Sequence, residues 1–281
     1  MIELFNICRC GGIGFTRTTQ NRVASRPCGF DSHQRHHKRT KRFFEKPHIM
    51  SRQKLPDITF PWTPDLAYAT GLIATDGNLS PDGRHMTFKS ADRQLVQTFK
   101  KCLNLKNKTC KDGILNCYYV QFGNVQFYKW LRTIGIHPAK SLTIGEINIP
   151  DKYFRDFLRG HLDGDGSIIL YRDKYGLYKK RHYDNLRTYT YFISASERHI
   201  LWLRNKIIKI TGVSGALIRR ESKIKNRAII WQIKIARHES ISLLKWLYYS
   251  IKIPTLMRKR RTAEKVLRLS KNWKRKNYVF I

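Results

Sequence analysis

"RGHLDGDGSI" (159–168) opens like a helix and closes on Asp163 and Asp165, each followed by glycine. A carboxylate is disfavoured at a helix C-terminus, where the macrodipole is already negative. "TGLIATDGNL" (70–79) repeats the arrangement. One isolated Asp-Gly pair would read as the start of a turn; two matched copies ask for a common cause. Gly71 and Thr75 stand four residues apart, as do Gly160 and Gly164, so each helix carries small residues on one face. Small faces let two backbones approach at the short end of the usual ~8–10 Å range. If these faces pack together, Asp76 and Asp165 arrive side by side at one end of the pair. They would repel there unless a divalent cation lay between them, and hard oxygen ligands suit Mg²⁺.

The surroundings are duplicated too. Thr63 as N-cap, Pro64 and Asp65 predict a helix that ends before Gly77, placed as its C′ residue. "RHMTFKS" (84–90) reads as a strand, Ser90 as the cap of a helix over 91–103, "NCYYVQF" (116–122) as a strand, and Asn124 as the cap of a helix closed by Gly135. The same order returns with a helix over 149–166, strands at "GSIILY" and "LRTYTYFIS" around a basic hairpin, and a helix from Ser196 to Gly212. Two more strands, "GALIRRE" and "AIIWQIKIA", a helix "HESISLLKWLYYS" and a basic final helix follow. "TFKSADRQL" registers with "FISASERHI", and "WLRTIGIHP" with "WLYYSIKIP". The expected fold is α+β: a duplicated αββαββα unit with pseudo-twofold symmetry.

Charge narrows the partner. The chain has 281 residues, with 55 Lys+Arg against 20 Asp+Glu, a net charge of +35 spread along its length. A folded protein with that excess binds a polyanion, and nucleic acid leads. No apolar run is long enough to span a membrane. The six cysteines form no CxxC pair and suggest neither a disulfide framework nor a zinc site, which points to a reducing compartment.

At these residues the chain resembles the LAGLIDADG homing endonucleases of the monomeric two-motif type. "ATGLIATDG" (69–77) and "LRGHLDGDG" (158–166) each follow the nine-residue signature in order. The resemblance implies two halves forming a DNA-binding saddle, and site-specific hydrolysis of both strands of duplex DNA with Mg²⁺ or Mn²⁺. It implies that Asp76 and Asp165 bind the metal, aided by the main-chain carbonyls of Thr75 and Gly164. The sixth signature residue, structural in the family, is Asp163 in the second copy but Ala74 in the first. Lys89 in "FKSAD" fits a catalytic lysine, and Ser194 stands at the matching place, which would make the half-sites unequal. Lys140, Arg258 and Lys259 resemble recurrent positions with a role in phosphate contact.

A sheet packed on helices by one face can read the major groove with the other. Alternation puts Ile229, Trp231, Ile233 and Ile235 inward and Gln232 and Lys234 outward. It likewise puts Tyr118, Val120 and Phe122 inward and Tyr119 and Gln121 outward. Arg187, Tyr189 and Tyr191 fit either face. Arg84, and Arg219, Arg220, Lys223, Lys225 and Arg227 around a basic hairpin, complete the candidates.

Three segments are expected: a basic, disordered leader over 1–54, a first half over 55–148, and a second half with a basic C-terminal helix over 149–281. "CGFDS" (28–32) is also compatible with translation through the T-arm of a tRNA gene, in which case the protein starts at Met50. The expected partner is about 20 base pairs of weakly palindromic duplex, bound by a monomer. The expected location is a bacterial cytoplasm or nucleoid, or an organelle, and not the secreted space. Two readings compete: an RNA maturase that binds intron RNA, and a non-catalytic DNA-binding protein of the same fold.

Overall fold

Helix α1 (Pro64–Asp76) starts as the sequence dictates: the Thr63 side chain accepts the Leu66 N–H, with Pro64 in the first turn. The computed structural model describes residues 60–173, 177–178, 181–182, 185–221 and 228–276. The leader 1–54 and Lys223, Lys225 and Arg227 lie outside the described residues.

After α1 come β1 (Gly77–Leu79), β2 (His85–Ser90), α2 (Arg93–Cys102), β3 (Cys110–Asp112), β4 (Cys117–Gly123) and α3 (Val125–Thr133). The second half runs α4 (Asp151–Gly164), β5 (Ser167–Asp173), β6 (Leu177–Tyr178), β7 (Arg181–His182), β8 (Asn185–Ser194), α5 (Glu197–Thr211), β9 (Ala216–Arg220), β10 (Ile230–Ala236), α6 (Arg237–Leu247) and α7 (Met257–Lys276). The sheets are antiparallel and share one order, β1-β2-β4-β3 in the first half and β5-β8-β10-β9 in the second. This is the duplicated α+β architecture expected from the repeat. The second half adds the β6–β7 hairpin and α7; where α7 stands, the first half has a 3-10 turn, Lys140–Leu142.

Each sheet buries one face against helices. Met86, Phe88, Val120 and Phe122 point inward in the first, with the Phe88 and Phe99 rings stacked at 4.4 Å. Thr188, Thr190, Phe192, Ile233 and Ile235 point inward in the second, over Ile200, Leu203, Leu243 and Leu244. Burying one such Phe or Leu stabilises the fold by roughly 1.5–3 kcal/mol, so these inward rows fix the strand register. Thr190 is tolerated there because its hydroxyl meets Ser240 Oγ at 2.7 Å.

The two halves meet along α1 and α4, which are buried on all sides over Leu66–Ala74 and Asp156–Asp163. A Cβ built on Gly71 would lie 2.2 Å from the Phe157 carbonyl oxygen, and one on Gly160 would lie 2.1 Å from that of Tyr68. The small-residue faces are therefore in backbone-to-backbone contact. Polar links between the halves flank this seam. Gln94 Nε2 donates to the Thr255 carbonyl at 2.8 Å, and its Oε1 accepts the Met257 N–H at 2.9 Å. On the other side Ser196 Oγ donates to the Ile144 carbonyl, and His199 Nδ1 meets the Gly145 carbonyl at 2.7 Å.

Two local expectations are corrected, and two strands are added. Gly77, placed as the C′ residue, is the C-cap of α1 with its N–H on the Ile73 carbonyl, and at φ −77° and ψ 145° it also opens β1. It is needed for space, since a Cβ there would lie 2.6 Å from Ile73 Cα. Ser90 does not cap α2; its Oγ accepts the Asp92 N–H at 3.1 Å, and Asp92 is the N-cap residue. Strands β1 and β3 span three residues each, too short for alternation to reveal them.

Candidate active site

The tight α1–α4 seam delivers Asp76 and Asp165 to the same end of the pair. A Cβ on Gly164 would lie 2.1 Å from Thr75 Oγ1 and 2.9 Å from Asp76 Oδ2, so only glycine fits there. Packing around the helix ends and the neighbouring Asp165 carboxylate push Asp76 up to about 8, against the opposing pull of Lys259 and Lys140. Asp165 is raised as well, by the crowded protein around it and against the same two lysines. Like charges in one small space cannot both ionise freely. Thr75 Oγ1 turns back to the Leu72 carbonyl at 3.0 Å and lies 3.5 Å from Asp76 Oδ2.

Two buried lysines lie beside the acids. Lys140 Nζ donates to the Gly77 carbonyl. Lys259 Nζ donates to the Leu162, Asp163 and Gly164 carbonyls at 2.7, 2.8 and 3.1 Å, closing the C-terminal end of α4 with a cation. Burial lowers both amines to about 8, and the neighbouring carboxylates hold them from falling further. Lys140 and Lys259, expected at phosphate contacts, both stand buried beside the acid centre. Lys89 is on the outward face of β2, 3.7 Å from Asp112 and 5.6 Å from the Tyr119 ring centroid. Its counterpart in register is Ile193 rather than Ser194, because Phe88 and Phe192 are the matching core residues. Arg258 is engaged by Asp92, with Nε and Nη2 at 3.0 and 2.9 Å from Oδ2.

The uneven sixth signature position has a physical account. Asp163 Oδ2 accepts the Tyr68 hydroxyl at 2.8 Å and the Leu256 N–H at 2.7 Å. Burial raises its carboxyl. By signature register the partner of Ala74 is Phe157. The half that lacks the carboxyl therefore also lacks the hydroxyl, and no buried polar group is orphaned by the exchange. Arg159, fully buried, is satisfied by Asp156 Oδ1 at 2.7 Å and by the Pro254 and Leu247 carbonyls.

The register settles the sheet faces. Arg187, Tyr189 and Tyr191 are on the outward face by register, since Thr190 and Phe192 pair with the core residues Ile235 and Ile233, although Tyr191 itself is only 8% exposed. Tyr171, Tyr189 and Tyr191 form a ladder with 6.2 Å between successive ring centroids, and Lys234 Nζ lies 4.5 Å over Tyr189. The Arg187 side chain, hydrogen-bonded to the Tyr189 phenol, is the first cause that lowers its pKa. Tyr119 and Gln121 face outward on β4, and Arg84 is exposed just before β2. Arg219 does not join them: it pairs with Trp231 on the helix side and bonds Glu221, whereas Arg220 is outward. Gln232 is outward by register yet only 9% exposed. The burial of the lysine pair, the Tyr68–Asp163 bond and the Arg159 bonds to the Pro254 and Leu247 carbonyls join residues remote in sequence, and no local pattern marks them.

Among the described residues no group of three or more His, Cys, Asp or Glu side chains could hold a metal ion, so the acid centre is a pair. No described helix is long and apolar enough to cross a membrane. No protein-family model matches the chain, and no curated protein matches it by sequence. Among solved structures it is similar to the LAGLIDADG meganuclease I-AabMI bound to uncleaved DNA. That match has a TM-score of 0.53 and 13% identity, over 75% of this chain and 92% of that one. It is similar also to the meganuclease I-SmaMI bound to uncleavable DNA, with a TM-score of 0.51 and 12% identity over 76% of this chain and 91% of that one.

Proposed function

From the LAGLIDADG endonuclease fold of this chain, we propose that it is a site-specific, metal-dependent endonuclease of double-stranded DNA. The observation that carries this reading is the pair of acids, Asp76 and Asp165, forced together at the helix seam with Lys140 and Lys259 beside them. Two crowded carboxylates, both raised and one of them raised in part by the other, are a ready seat for a divalent cation in place of a proton. Mg²⁺ or Mn²⁺ is bound in nucleic-acid enzymes through one or two carboxylates, water and phosphate oxygens, which a bare acid pair suits. Asp76 and Asp165 would hold it, and when bound it supplies activated water and charge stabilisation at the scissile phosphate. Lys259 holds the Gly164 carbonyl at 3.1 Å, so that carbonyl is less suited to the ion than the carboxylates.

The chain's own part is to bind and orient the duplex. Two sheets sharing one order present outward faces rich in Arg, Lys, Tyr, Asn and Gln, suited to phosphate contact and to base edges in the major groove. The two halves reside in one chain, so a single copy serves both strands. Two halves side by side cover about 20 base pairs. Their different outward residues make the target at most weakly palindromic.

The test is Asp76→Asn and Asp165→Asn, each measured for binding and for cleavage on a target obtained from a randomised duplex library. Cleavage is lost and binding persists. Mg²⁺-dependent cleavage of both strands by the double variant would remove the catalytic assignment. A wild-type chain that binds duplex but never cuts would favour the non-catalytic reading.

A further inference from the structure

The outward face of the first sheet carries a straight cross-strand row. Asn78 pairs with Thr87, and Thr87 pairs with Gln121. Asn78 and Gln121 are exposed. In the second sheet the row in the same place is Ser167, Tyr191, Lys234 and Ala216. Two landmarks fix the match: each row starts two residues after an acid of the site, and each passes through the residue before a buried Phe, Phe88 or Phe192. The rows are thus equivalent by fold and unequal in chemistry. The first ends in amides, which donate and accept at once. The second has Lys234, an ammonium with donors only. Its Nζ is steadied over the Tyr189 ring at 4.5 Å. The amide of the neighbouring row, Gln232, is 9% exposed and lies between Ile193 and Ile218, out of reach of a ligand.

Base edges in the major groove distinguish these chemistries. Adenine offers a donor and an acceptor side by side, which an amide matches; guanine offers two acceptors, which suit a cation. A lysine opposite adenine would face the N6 amino donor. We propose that these rows set unlike base preferences at equivalent positions of the two half-sites: adenine under Gln121 and guanine under Lys234. This rests on the reading of the chain as a duplex-DNA endonuclease, and names the residues that make its target non-palindromic.

The experiment uses the full chain and a randomised duplex library. Bound duplexes are sequenced for the wild type, Lys234→Gln and Gln121→Lys. In the wild type, adenine dominates at one position and guanine at its counterpart. Lys234→Gln moves the guanine position toward adenine, and Gln121→Lys moves the adenine position toward guanine. Each change in relative enrichment is about 5- to 150-fold, with the other half-site unmoved. If the wild type shows a defined site that neither exchange alters, or if each exchange weakens binding uniformly across sequences, the inference falls and the endonuclease reading stands. If the wild type selects no sequence at all, both fall.

Discussion

Replacing Gly160 by alanine tests whether backbone contact at the α1–α4 seam builds the site. The new methyl would lie 2.1 Å from the Tyr68 carbonyl oxygen and 3.2 Å from Gly71 Cα. A carbon and a carbonyl oxygen rest comfortably at about 3.3–3.6 Å, so the helices must part by on the order of 1 Å. The atoms in the way are main chain of a helix packed on all sides, and no side chain can rotate to make room. Overpacking costs typically about 1–3 kcal/mol, and the rigid neighbour places this case at the upper end. Alanine returns about 1 kcal/mol over glycine in a helix interior. The net loss is about 2 kcal/mol, or about 4–8 °C in melting temperature for a folded region of this size. The control is Gly113→Ala, where a Cβ meets nothing within 4 Å and the melt should stay within about 0.5 kcal/mol of wild type. Thermal unfolding followed by circular dichroism measures both. A Gly160→Ala protein that melts at or above the wild-type temperature would refute the close-approach argument.

Lys259→Met strips the donor from the Asp163 and Gly164 carbonyls and should cost about 2–4 kcal/mol in denaturant unfolding. Lys140→Met uncovers the Gly77 carbonyl alone and should cost less; equal losses would contradict the picture of a caged lysine. His199 is held down to about 4 by burial, stacked at 5.3 Å on both His161 and Trp202. Its folded value lies below the unfolded one, so its contribution is intact above about pH 6.5 and is lost as pH falls toward 4, roughly 3 kcal/mol in full. The raised carboxyls of Asp76, Asp163 and Asp165 act with the opposite sign, gaining stability on acidification, and they do so with or without His199. The readout is therefore the difference between wild type and His199→Phe. That difference should shrink as pH drops through the window, and parallel curves would exclude the histidine.

The repeat, the helix starts and the inward strand faces were legible in the sequence because each is written in local chemistry. Thr63 and Asn124 cap because their side chains meet an N–H three residues on. Val120, Phe122, Ile233 and Ile235 alternate inward because a strand has period two. The meeting of Asp76 and Asp165 was legible as well, since small residues four apart specify a close helix face and the acids follow within one turn. Tertiary structure alone decided the role of the cations. Lys140 lies in a 3-10 turn and Lys259 in the first turn of the helix that takes its place, at unequal distances from the matching Pro138 and Pro254, so the repeat does not align them residue for residue. Their chemistry comes from burial beside carboxylates on separate helices, at least 25 residues away in sequence. Lys89, which a short motif favours, lies 3.7 Å from Asp112 on its own sheet. A motif fixes which residues stand near one another along the chain; which charges share a desolvated pocket depends on how separate elements pack, and burial sets the cost of each charge.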